Sequence, residues 1–153
     1  MNYGRLAIAV VIATVVDAAY GFVVYGNMLT SQFTAFPGVF RPADTQTTYM
    51  PALLVGLLVG MFAATYIYAK GYEGGSGVQE GARFGALVGI FNAGYVVATT
   101  YAVMNIGQQL AASMAVAGLV EWVIVGVAIG VAYKPAAAAT ARRAASLGAS
   151  AAG

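Results

Sequence analysis

Four apolar stretches, each about as long as a bilayer's hydrocarbon core is thick, constrain this chain more than any other feature. A helix needs about 20 mostly apolar residues to cross about 30 Å of hydrocarbon. Runs of that length lie at residues 4–26, 50–69, 82–104 and 110–133. Strands in lipid need a closed barrel with strict apolar and polar alternation, and no such alternation is present, so helices are the expected solution. Arg5 ahead of an apolar run has the outline of a signal peptide, but the run continues past Asp17 through Tyr25, too long for a signal core. Composition agrees: 61% of the residues are hydrophobic and 8% are charged, against about 25% charged in soluble domains. The expected fold is an all-α integral membrane four-helix bundle of two hairpins, spanning residues 1–134, with an Ala-rich tail at 135–153.

Orientation follows from the basic residues, which are retained in cytoplasmic segments. Arg5, Lys70, Arg83, Lys134, Arg142 and Arg143 fall on one side of such an arrangement and Arg41 on the other. Both termini are therefore expected in the cytoplasm. The loop at 27–49 and the short turn at 105–109 face outward. In that loop Phe33, Phe36 and Phe40 surround Pro37-Gly38 and read as an anchor lying on the lipid surface. Ser76 and Gln79 have capping-box spacing at the start of the third helix.

Several reaction classes are excluded by what the chain lacks. With no Cys and no His, it has no thiolate or imidazole to ligate a metal, and Ser31, Ser76 and Ser113 have no imidazole to activate them. No enzymatic activity, metal or cofactor is expected. A net charge of +2, scattered along the chain, does not suit nucleic acid. The expected partners are the lipid bilayer and other membrane subunits, or further copies of the chain.

Helix association in lipid depends on close contact through small residues. Gly56 and Gly60 share one face of the second helix, Gly81, Gly85 and Gly89 one face of the third, and Gly126 and Gly130 one face of the fourth. All are expected to form seams within the molecule. The Gly81–Gly89 face continues into Asn92. Asp17-Ala18-Ala19-Tyr20 also has a counterpart in Asn92-Ala93-Gly94-Tyr95, consistent with a parallel repeat of the two hairpins.

Two carboxylic acids lie inside the spans. Counted from the flanking basic residues at 1.5 Å per residue, Asp17 is about 18 Å deep and Glu121 about 20 Å. Asn92 and Tyr95 reach a similar layer, about 14 and 18 Å from Arg83. A charge at mid-bilayer is expensive, and no Lys or Arg lies near the middle of any span to pair with it. The acids are expected to meet inside the assembly in a polar cluster of Asp17, Glu121, Asn92, Tyr95, Tyr20 and Thr14, with at least one acid protonated and donating a hydrogen bond. Such a cluster admits three roles: fixing helix register, handling protons or cations, or contacting a partner.

The turn Lys70-Gly71-Tyr72-Glu73-Gly74-Gly75 followed by Glu80-Gly81-Ala82-Arg83-Phe84-Gly85 resembles the central turn of small four-helix inner-membrane proteins found in bacteria. That resemblance implies a bacterial inner-membrane location and four spans, and it implies no activity. Together these features lead us to expect a non-catalytic accessory or assembly subunit of a larger membrane complex. The alternative is a small proton-coupled transporter or cation pathway using Asp17 and Glu121. Its four short spans and acidic first helix look like those of small multidrug transporters, from which the long outer loop and the biased basic residues depart.

Overall fold

The structure, a computed structural model, describes residues 1–42 and 44–133. The expected tail at 135–153, with Arg142 and Arg143, lies outside the described residues, as does Lys134. The described chain is helical, with four helices long and apolar enough to cross a membrane: Tyr3–Met28, Gln46–Lys70, Gly77–Val103 and Gln108–Tyr133. The chain is thus a multi-pass membrane protein by length and composition. The second and third spans begin a turn earlier than hydropathy alone indicates, because polar residues such as Gln46 and Gln79 continue the helix where they contribute nothing to an apolar run.

Helix α1 (Tyr3–Val23) starts at Asn2, whose side chain accepts a hydrogen bond from the Arg5 N–H at 3.1 Å. It ends in a π-helical turn, Val24–Met28. The short α2 (Thr30–Thr34) follows, then α3 (Gln46–Lys70). The turn into α4 (Gly77–Phe91) passes through Gly74 at φ +89°, a conformation that favours glycine. Ser76 is the N-cap of α4, but its hydroxyl caps nothing. The Glu80 carboxylate takes that role by reaching back to the Gly75 N–H, where it also complements the positive end of the helix. α4 runs through a second π-helical stretch, Asn92–Val97, into α5 (Ala98–Val103), and α6 (Gln108–Tyr133) completes the described chain.

Packing follows the glycines. α6 lies against both α4 and α1, and α1 also packs on α3. Along the α4–α6 seam Gly81 faces the Gly126 carbonyl, Gly85 the Trp122 carbonyl, Gly89 the body of Leu119, and Gly130 the Gly77 carbonyl. A Cβ at Gly81, Gly85 or Gly130 would overlap backbone of the opposite helix, so the close approach requires glycine there. Cα–H···O contacts are the attraction available at such a range.

The expected seam at Gly56 and Gly60 is not formed among the described residues: both are exposed, with open space where a Cβ would stand. The reason is the course of α3. Its buried residues, Met61, Ala64, Thr65 and Tyr68, all lie in its second half, while the first half carries exposed residues such as Leu53, Leu54 and Val55.

The main core joins Leu6, Ala9 and Ala13 of α1, Met61, Ala64 and Tyr68 of α3, and Val125, Ile129 and Tyr133 of α6. Tyr68, Tyr72, Phe84 and Tyr133 close one end of it, with ring centroids 5.5–6.1 Å apart. At the other end, Phe33, Phe36 and Phe40 fold inward against Val97, Ile106, Leu110 and Ala111. They are half-buried rather than lying as a lipid anchor, because α2 turns the loop back over the start of α6. Arg41 stacks its guanidinium on Tyr49, 3.5 Å from the ring centre.

Candidate functional site

Asp17 occupies the inward face of α1 four residues beyond Ala13, and Glu121 occupies the face of α6 that also carries Val125 and Ile129. These two faces meet, and they bring the two carboxyl groups close to each other. Asp17 is 6% exposed and Glu121 is half-buried. Two carboxyl groups hydrogen-bond to each other only through a proton, since a carboxylate is purely an acceptor. The remaining lone pairs need donors. Tyr25 supplies one, its hydroxyl donating to Glu121 Oε2 at 2.9 Å. Tyr20 donates to the Ala117 carbonyl at 2.9 Å, one turn from Glu121 along α6. The Tyr20 and Tyr25 rings meet edge to face, with centroids 6.2 Å apart.

Asn92 reaches the edge of this group. Its amide nitrogen lies against Gly118, where a Cβ would strike it, and the Tyr25 hydroxyl is 3.7 Å from the same point. The absence of a side chain at Gly118 therefore lets Asn92 and Tyr25 converge on α6 three residues before Glu121.

Two expected members do not join. Tyr95 is 65% exposed and stacks on Phe91, with centroids 5.2 Å apart. The π-helical stretch that begins at Asn92 changes the angular step per residue, so Tyr95 does not occupy the place that Tyr20 holds in α1. Thr14 bonds its hydroxyl to the Val10 carbonyl of its own helix at 2.8 Å, the usual local partner of a mid-helix threonine. Tyr25, not among the expected members of the cluster, completes the site. Its signal in the sequence is the i, i+4, i+8 series Asp17, Gly21, Tyr25 along one helix face.

Among the described residues no three acidic side chains are placed to hold a metal ion. The arrangement can hold a proton between two carboxyl groups and pass it among hydroxyls. No protein family, curated protein or solved structure matches the chain.

Proposed function

We propose that the protein handles protons within the bacterial inner membrane, as a small proton-coupled transporter or proton pathway centred on Asp17 and Glu121. In this reading it is a four-helix bundle with both termini in the cytoplasm. The observation that carries the proposal is the meeting of two mid-span carboxyl groups, with a tyrosine hydroxyl on one of them and basic residues only near the ends of the spans. Intramembrane acids are costly, and proton relays are a principal use of them. The test is pH-driven proton flux into proteoliposomes loaded with a pH-sensitive dye. Asp17→Asn and Glu121→Gln each abolish the flux if the pair carries the proton, and unchanged flux in both variants rejects the role.

A second reading is supported by a different observation. The uncovered face of α3 that carries Gly56 and Gly60, both open to their surroundings, favours a non-catalytic accessory or assembly subunit that receives a helix of another membrane protein there. Purification in mild detergent followed by mass spectrometry tests it. Recovery with stoichiometric larger partners supports that reading, and recovery of the folded chain alone counts against it.

A further inference from the structure

The surroundings of the carboxyl pair differ along the membrane normal. Toward Tyr133, the inward stripe of α6 runs from Glu121 through Val125 and Ile129 to Tyr133. That is twelve residues, or about 18 Å of helix. The layer here consists of Ala9 and Ala13 of α1, Met61 of α3, and Val125 and Ile129 of α6. All but Met61 have no exposed surface, and Met61 is 3% exposed. The polar side chain on this face of α3 is Thr65, which is fully buried, its hydroxyl without a partner among the described residues. This layer therefore offers the pair apolar side chains and a single hydroxyl.

Toward the 27–49 loop the neighbours are polar. Tyr25 stands in the π-helical turn eight residues beyond Asp17, and its ring extends back so that the hydroxyl meets Glu121. Tyr20, the Ala117 carbonyl, Asn92 and the bare Gly118 lie on the same side. Tyr25 is half-buried, with the edge of Phe33 6.4 Å away between ring centres.

We propose that the Asp17–Glu121 pair exchanges its proton with the loop side of the membrane by way of Tyr25, and that the Ala9–Ala13–Met61–Val125–Ile129 layer closes the pair from the other side in this conformation, one state of a transporter that exposes the pair to each side in turn. This rests on the proton-handling reading and adds a route and a sidedness to it. When Glu121 is ionised, the Tyr25 hydroxyl gives its proton to Oε2 while its oxygen takes one from a hydronium ion or water on the loop side. The tyrosine ends as it began, and the donor leaves as water or hydroxide. Glu121 then shares the acquired proton with Asp17.

The chain has no cysteine, so single reporters can be introduced into the full-length protein. Gly21 suits this purpose because a Cβ there meets only the Tyr25 ring, at 3.9 Å. In sealed proteoliposomes of known orientation, a membrane-impermeant, positively charged thiol reagent should modify Gly21→Cys faster from the loop side. Ala13→Cys, inside the barrier layer, should resist modification from the loop side and the Tyr133 side alike. Equal or faster labelling of Gly21→Cys from the Tyr133 side overturns the sidedness, as does no labelling from the loop side.

The relay is tested separately by Tyr25→Phe in the flux assay, where loss of a positioned proton donor lowers the rate by about 100-fold or more. Unchanged flux in that variant, with labelling still sided, overturns the role of Tyr25. If Asp17→Asn and Glu121→Gln abolish flux while Gly21→Cys labels equally from both sides, the proton-handling reading stands and the route fails. If neither acid variant alters flux, the reading itself fails.

Discussion

The two halves of the helix assembly are built from opposite materials. Toward Tyr133, helices meet as main chain on main chain along the α4–α6 glycines and as interlocking aromatic rings. Toward Tyr25, they meet through hydroxyl, carboxyl and amide groups, and both π-helical stretches, Val24–Met28 and Asn92–Val97, lie in this half. A π turn departs from the regular i to i+4 ladder and is rare outside functional positions. The contrast teaches that rigidity and chemistry have been separated along the membrane normal. The tight half holds the helices at fixed spacing, and the looser, polar half holds the groups able to exchange protons.

The largest expected effect on stability comes from breaking the tight half. Gly85→Ala places a methyl group against the Trp122 carbonyl and should cost about 1–3 kcal/mol or more, since both sides of the contact are backbone. A lowered thermal unfolding midpoint in detergent checks this, and a wild-type midpoint would show that the seam is not so close. In the polar half, Tyr25→Phe removes one hydrogen bond to Glu121. Within a membrane protein that is worth about 0.6 kcal/mol and at most about 1.7. The same unfolding measurement should therefore separate the two halves, with Gly85→Ala the more damaging.

Tyr68→Phe sharpens the comparison by reversing its sign. The Tyr68 hydroxyl is buried without a partner among the described residues, so its removal should leave stability unchanged or raise it by about 1 kcal/mol. A clear loss would mean that this hydroxyl has a partner in the membrane. The smallest effect is expected at Gly56→Leu. With nothing near its Cβ position, it should alter the stability of the isolated chain by less than about 0.5 kcal/mol. If the same variant releases a co-purifying protein, the accessory-subunit reading gains its first direct support.

Much of this was legible in the sequence, and the failures have identifiable physical causes. Span positions followed from hydropathy because lipid demands unbroken apolar helices. The encounter of Asp17 with Glu121 followed from equal depth and from the cost of a mid-bilayer charge. The Gly81–Gly89 and Gly126–Gly130 faces were found by spacing, but spacing is identical at Gly56 and Gly60, where the course of α3 leaves no neighbour. Tyr95 was misplaced because counting at 100° per residue assumes a regular α-helix, and the π-helical stretch at Asn92–Val97 breaks that assumption. Tyr25 was missed because a tyrosine near a span end is ordinarily an interfacial residue, and only its reach back along α1 makes it a ligand of Glu121. The three loop phenylalanines were read as facing lipid because their spacing reports that they cluster, not which way the loop turns.

The α4–α6 seam has one more consequence. A contact between main chains has no rotamers to exchange and no methylene groups to rearrange. The height at which α6 holds Glu121 therefore depends chiefly on where two backbones touch rather than on adjustable side-chain packing, so a mid-bilayer acid is kept level by a rail with few moving parts.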